Sequence, residues 1–193
     1  MQTKPLLGTL AALAVLLTVT WYALFRFDGV PSGALRPIAA WDTVRDDFNA
    51  AGGTVRVIAV FSPTCAACQV RYTTLQDIMA SAPGGEWRVQ VVWTPSRSGE
   101  DMAAALERVR GKGIKGWIHY WDPDGLAASR FGEVLGWPEP AREVVLIYGR
   151  RQRFSDALPP RPRSWMVVST EDDPATRWDR SAFAAALDAA LAE

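Results

Sequence analysis

The only two cysteines of this 193-residue chain lie three positions apart, at Cys65 and Cys68. An apolar, β-rich run over residues 54–61 ends just before them, and apolar residues at helical spacing follow. Cys65 is therefore expected at a helix N-terminus, where unpaired N–H groups and the helix dipole favour a thiolate. Cys68, one turn further along, can close a disulfide with Cys65 after Cys65 has attacked a partner's disulfide. The spacing is typical of dithiol–disulfide exchange.

Other roles for the pair remain open at this point. The cysteines could be small buried hydrophobes, an inert disulfide or half of a metal site. A structural zinc site needs two further Cys or His ligands, and the chain has a single histidine, His119. An inert disulfide stabilises most when it closes a long loop, and a spacing of three closes a short one. A CxxC pair near a βαβ pattern therefore favours exchange chemistry.

Composition excludes some classes of function. The chain has 21 basic and 21 acidic residues and 49% hydrophobic residues. Because the charges cancel and no basic cluster is present, we expect no binding to nucleic acid. Nine tryptophans are many for this length, and we interpret them as core and surface packing rather than as a recognition patch.

The N-terminal residues 1–27 are predicted to be a membrane anchor. Residues 6–25 are uncharged and mostly apolar, and as a helix they would span about 30 Å, the thickness of a bilayer core. A cleaved secretory signal is the alternative, although aromatic residues crowd the exit of the segment where a cleavage site needs small side chains. The positive charges on the two sides of the segment do not settle its orientation, but either interpretation most often delivers the following domain outside the cytoplasm, where disulfide exchange is common. We therefore expect a single-pass protein of the bacterial cytoplasmic membrane with its domain in the periplasm or outside the cell.

After a predicted linker at residues 28–37, residues 38–193 are expected to form one domain of alternating strands and helices. We expect helices near residues 41–51, 65–80, 100–110, 126–135 and 183–191, the last one capped by Asp179 or Ser181. We expect strands near residues 54–61, 88–94, 117–121, 143–148 and 165–169. Residues 122–125 (DPDG) form a turn between strand and helix. This order predicts an α/β fold with a mixed sheet covered on both faces.

The order of these elements, with F-x-x-x-C-x-x-C after the first long strand and D-P-D-G before a later helix, resembles the membrane-anchored, TlpA-like family of the thioredoxin-like superfamily. The resemblance covers about residues 40–192, and CxxC is its sharp motif. It implies a thioredoxin-like fold with an extra βα insertion. It also implies thiol–disulfide oxidoreductase activity, with Cys65 as the attacking thiol and Cys68 as the resolving thiol.

The resemblance also implies a cis-proline that binds substrate backbone directly before a late strand. Pro140 is the preferred candidate for this substrate-binding residue and Pro138 is the alternative. The chain departs from the family elsewhere. Thr64 replaces the usual Trp before the first Cys, and Ala59 stands where many relatives have a buried acid.

The expected function is thus exchange with protein thiols or disulfides, with reduction favoured because Ala66 and Ala67 add neither charge nor hydrogen bond between the cysteines. The electron donor must be external, because the chain has no flavin or nicotinamide fingerprint, and we expect no cofactor and no metal. The alternative function is a copper-binding metallochaperone on the same fold, in which Cys65, Cys68 and His119 bind Cu(I). A partner-docking module with an incidental disulfide is a third class.

Overall fold

In the described residues, strands and helices alternate from the first strand up to the last two strands, which follow each other directly before the closing helix. The structure, a computed structural model, describes residues 34–83, 86–110, 114–155, 158–168 and 177–193. The strands are β1 (Leu35–Pro37), β2 (Val55–Phe61), β3 (Trp87–Trp93), β4 (Trp117–Trp121), β5 (Val144–Tyr148) and β6 (Ser164–Val167). The helices are α1 (Trp41–Ala50), α2 (Ala66–Ser81), α3 (Met102–Val109), α4 (Leu126–Leu135) and α5 (Arg180–Leu191). All the described residues belong to one compact unit, Ser32–Glu193.

The strands form a single mixed sheet in the order β1-β4-β3-β2-β5-β6. The pairs β1–β4, β4–β3 and β3–β2 are parallel, whereas β5 is antiparallel to both β2 and β6. β2 is therefore a central strand, paired along its length on both sides. All seven of its residues are buried, as expected for a strand covered on both faces.

Alternate side chains of β2 serve two separate hydrophobic cores, because successive residues of a strand point to opposite faces. Val57, Ala59 and Phe61 belong to the core that α2, α3 and α5 cover. Ile58 and Val60 belong to the opposite core, under α1 and α4. The predicted mixed sheet with helices on both faces is confirmed.

The boundaries of the elements lie close to their predicted positions, with one difference at the start. β1 falls within the predicted linker 28–37 and pairs with β4, Leu35 opposite His119. The sheet therefore begins earlier than residue 38. The closing helix is capped by Asp179, whose carboxylate accepts from the N–H of Ala182 at 2.8 Å. α3 and β4 provide the expected extra helix and strand.

None of the helices in the described part of the chain is long and apolar enough to cross a membrane. The predicted anchor over residues 1–27 lies outside the described residues. It stays a prediction from sequence.

The turn after β4 fixes the start of α4. The buried Asp122 carboxylate accepts the N–H groups of Leu126 at 2.8 Å, Ala127 at 3.0 Å and Ala128 at 3.2 Å. Gly125 takes a φ of 66°, a conformation that glycine adopts without steric cost. The predicted D-P-D-G turn is thus confirmed, and Asp122 satisfies N–H groups that a helix start leaves unpaired.

The chain after α4 returns along that helix toward β5. The N–H of Ala141 donates to the carbonyl of Ala128 at 2.8 Å. Gly132 permits this approach, because a Cβ at that position would lie 2.5 Å from the carbonyl oxygen of Glu139. The path of residues 139–141, and hence the start of β5, depends on a helix surface without a side chain at Gly132.

We expect Gly132→Ala to lower the free energy of unfolding by about 1–3 kcal/mol, because the added methyl group forces backbone apart. This sign is informative, since alanine is otherwise favoured over glycine within a helix by about 0.5–1 kcal/mol. Denaturant unfolding measures the change. Ser129→Ala, on the exposed side of the same helix, is the control, and a Gly132→Ala chain as stable as that control would contradict the close approach.

Candidate active site at the Cys65–Cys68 pair

The two sulfur atoms are joined in a disulfide at the start of α2, with the Cα atoms of Cys65 and Cys68 5.2 Å apart. Cys65 is the N-cap residue of the helix, in extended backbone conformation. Its Sγ accepts the backbone N–H of Cys68 at 3.0 Å. The predicted placement of Cys65 at a helix N-terminus is confirmed. In the reduced chain, the same N–H group and the helix dipole stabilise a thiolate at Cys65.

The two cysteines differ in exposure. Cys65 retains 7% of its accessible surface, and Cys68 retains none. Thr64, Ala66 and Ala67 surround Cys65 with exposed side chains. A partner can therefore approach Cys65, whereas Cys68 is covered by the protein.

The Glu100 carboxylate ties the loop that precedes Cys65 to the loop that follows β3. One oxygen accepts the hydroxyl of Ser62 at 2.6 Å and also the hydroxyl of Thr64. The other accepts the backbone N–H of Ser96 at 2.6 Å and of Arg97 at 3.3 Å. Partial burial opposes ionisation, but these four hydrogen bonds outweigh it and lower the pKa of Glu100 to about 2.

A second long-range contact acts on the same loop. Arg108 on α3 donates from its Nε to the carbonyl of Pro63 at 2.8 Å. The loop before Cys65 is therefore held from two sides, by Glu100 and by α3. Sequence reasoning missed both residues.

Glu143 brings a carboxylate to the disulfide. It lies directly before β5, and its backbone has a φ of 55°. A carboxylate oxygen and the sulfur atoms of Cys65 and Cys68 all lie within 4.8 Å of one another. A positive φ at a residue other than glycine costs about 1–3 kcal/mol, and such residues cluster at functional sites. Sequence reasoning missed this residue as well, although it lies only three positions after Pro140, the preferred candidate for the family proline.

The expectation of a cis-proline before the late strand is wrong. The described part of the chain has no cis peptide bond, so the bonds before Pro138 and Pro140 are both trans. Pro138 is exposed and Pro140 half-buried. Three residues separate Pro140 from β5, and Glu143 takes the place directly before the strand. A substrate-binding role for either proline stays a prediction.

His119 lies in β4 and is 99% buried, with a relative exposure of 1%. Its Nδ1 accepts the indole N–H of Trp93 at 3.4 Å, and its ring lies 5.9 Å from that of Tyr72. Burial lowers the pKa of His119 to about 4, so the ring is neutral at pH 7. Among the described residues, the Glu143 carboxylate lies close to both sulfur atoms, and His119 does not belong to this cluster.

We expect the network around Glu100 to make stability depend on pH. Its pKa in the folded chain lies near 2, below the ordinary value of 4.5. The ionised carboxylate therefore stabilises the fold above about pH 4.5, and this contribution is lost as the pH falls through 2. The wild type should lose more free energy of unfolding over this interval than Glu100→Gln, as measured by urea unfolding at several pH values.

Glu107→Gln is the matched control, since Glu107 on α3 is an exposed carboxylate that forms an ion pair with Arg110. Its pH dependence should follow that of the wild type. Parallel curves for Glu100→Gln and the wild type below pH 4.5 would show that the carboxylate does not hold the loop.

No family model matches the chain, and no curated protein matches it. Several solved structures do. A thioredoxin-like superfamily protein matches with a TM-score of 0.52 at 14% identity, covering 76% of this chain and 85% of its own. A candidate thioredoxin from Neisseria meningitidis gives 0.51 at 13% identity, covering 74% and 78%. A thiol-disulfide isomerase from Corynebacterium glutamicum gives 0.50 at 16% identity, covering 75% and 86%. At these identities the likeness concerns the fold, and the domain described here has a thioredoxin-like fold, as its sequence predicts.

Proposed function

We propose that this protein is a thiol–disulfide oxidoreductase in which Cys65 attacks and Cys68 resolves. This proposal rests mainly on the geometry of the pair: Cys65 caps the N-terminus of α2 and its Sγ accepts the N–H of Cys68. The greater exposure of Cys65 supports the assignment of roles. The thiol-disulfide isomerase from Corynebacterium glutamicum has the same fold, which is consistent with this activity.

The reaction has two steps. In the first, the Cys65 thiolate attacks a partner disulfide, forms a mixed disulfide and expels one partner thiolate. In the second, Cys68 loses its proton and attacks the Cys65 sulfur, which releases the second partner thiolate. The enzyme dithiol is thereby oxidised to the disulfide, and the partner disulfide is reduced to two thiols by the same two electrons.

Reduction of the partner is the proposed direction. Ala66 and Ala67 add no group that stabilises a thiolate, and the Glu143 carboxylate near both sulfur atoms opposes one. A less stable thiolate makes the dithiol a better electron donor. The regenerating electron donor and the protein substrates lie outside this chain.

We place the domain outside the cytoplasm, held at the bacterial membrane by the N-terminal segment of residues 1–27. This proposal rests on the apolar sequence of residues 6–25 and on the prevalence of disulfide exchange in oxidising compartments. We also keep Pro138 and Pro140 as proposed contacts for substrate backbone. They lie on the segment that leads to Glu143.

The copper-binding alternative receives less support. It needs His119 as a third ligand, and this ring lies in the core with its Nδ1 accepting from Trp93. A carboxylate, which suits Cu(I) poorly, lies near the sulfur atoms instead.

Redox titration of the full-length chain tests the proposal. In defined thiol–disulfide buffers, the Cys65–Cys68 pair should show a reversible two-electron transition between about −120 and −300 mV, scored by alkylation mass shift. A value toward the negative end would support a reductase. Cysteines that never form a reversible pair would exclude exchange.

Single-cysteine variants test the two roles. Cys68→Ser should accumulate a mixed disulfide with a peptide disulfide at Cys65, because no second thiol resolves it. Cys65→Ser should form little adduct, because the remaining Cys68 is fully buried. Non-reducing mass spectrometry measures both, and equal labelling of the two variants would contradict the assigned roles.

A further inference from the structure

We infer that Glu143 accepts the proton of the resolving thiol, Cys68, during the second step of exchange. This inference rests on the proposed function. It assigns a catalytic role to a residue outside the CxxC motif, brought to the sulfur atoms by the start of β5.

Cys68 needs a proton acceptor within the protein. A thiol attacks a disulfide as its thiolate, and Cys68 has no exposed surface through which water could take the proton directly. Its surroundings are apolar. Cys68 packs in the same hydrophobic cluster as Ala59, Phe61 and Tyr72, and the methyl group of Ala59 on β2 cannot accept a proton.

The Glu143 carboxylate meets this need. One of its oxygens lies within 4.8 Å of both sulfur atoms in the disulfide form. Among the described residues, no other acidic or histidine side chain joins Cys65 and Cys68 in such a group. No hydrogen bond or ion pair occupies this carboxylate in the described residues, which leaves its oxygens available to the thiol.

The backbone holds Glu143 in this place. Its carbonyl accepts the N–H of Val168 at 2.6 Å. The next residue, Val144, pairs with Val60 of β2 on one side and with Val167 of β6 on the other. Glu143 is therefore anchored at the end of a paired strand, and its positive φ of 55° is maintained by these contacts. A conformation that L-residues rarely adopt is more easily explained by a role at the site than by the strand itself.

The proton and electron movements balance. In the mixed disulfide, the Cys68 S–H proton moves to the Glu143 carboxylate, and the Cys68 thiolate attacks the Cys65 sulfur. The Cys65–Cys68 bond forms as the bond from Cys65 to the partner sulfur breaks. The departing partner thiolate then takes the proton from Glu143, which returns to its carboxylate form. No further oxidant or reductant is required.

Rapid mixing of the reduced full-length chain with dithiobis(nitrobenzoate) separates the two steps. This probe releases one coloured thiolate when Cys65 attacks and a second when Cys68 resolves. We expect Glu143→Gln to slow the second release at neutral pH by about a hundredfold, the low end of the effect typical of general-base catalysis. The first release should be unchanged or faster, because a negative charge near Cys65 has been removed.

Two variants make the result specific. Glu139→Gln removes an exposed carboxylate from the same segment and should leave both releases unchanged. Glu143→Asp keeps a carboxylate and should restore part of the second rate. A purely structural role for Glu143 would instead slow the first release as much as the second, or would shift the unfolding curve of Glu143→Gln.

Each outcome is decisive. A second release in Glu143→Gln within about twofold of the wild type would show that Glu143 is not the acceptor. The inference is supported if the wild-type chain releases both thiolates and Glu143→Gln slows the second release without slowing the first. A wild-type chain that releases neither, or only one, overturns the exchange function and this inference together.

Discussion

The hydrogen bond from the Cys68 N–H to the Cys65 sulfur, at 3.0 Å, is the interaction on which the candidate site depends. This hydrogen bond forms because α2 begins at Cys65. The first N–H groups of a helix lack partners within the helix, so they can stabilise negative charge on the sulfur atom. The placement of α2 depends in turn on β2, a central strand with seven buried residues. The loop between them is short, and Glu100 and Arg108 hold it from outside. The sheet, the loop and the helix therefore act together to place one sulfur atom.

Local chemistry made much of this predictable. The break before Cys65, the apolar run of β2 and the turn ending at Gly125 each depend on residues close together in sequence. Glu100 and Glu143 could not be found in this way, because the contacts that give them a role cross many residues; Glu100 and Thr64 are 36 positions apart. The expectation of a cis-proline was wrong because it came from family resemblance, and here the chain inserts Ala141, Arg142 and Glu143 between Pro140 and the strand.

Arg56 shows the same limit within a correctly predicted element. Residues 54–61 are predicted as an apolar strand, but they include the charged Arg56, whose side chain is fully buried. Its guanidinium donates to the carbonyls of Thr54, Arg150 and Gln152 and lies 4.4 Å from the ring of Phe48. Burial lowers its pKa to about 10, so it remains charged at neutral pH. Arg150 and Gln152 lie more than ninety positions from Arg56 in the sequence. Sequence periodicity cannot predict contacts across such a separation.

Two opposing effects act on the Cys65 sulfur, and their sizes bear on the direction of electron flow. A hydrogen bond to a charged group contributes about 1.5–3 kcal/mol, and this favours the thiolate. A carboxylate within 4.8 Å opposes it by at least about 3.5 kcal/mol at an effective dielectric constant near 20. Because this repulsion is at least as large as the contribution of the hydrogen bond, the thiolate is not strongly stabilised, as it would be in a strong oxidant. Under the proposed function, the same carboxylate would accept the proton of Cys68 and would keep the reduced pair a good electron donor, so that one residue would influence both the rate of resolution and the direction of exchange.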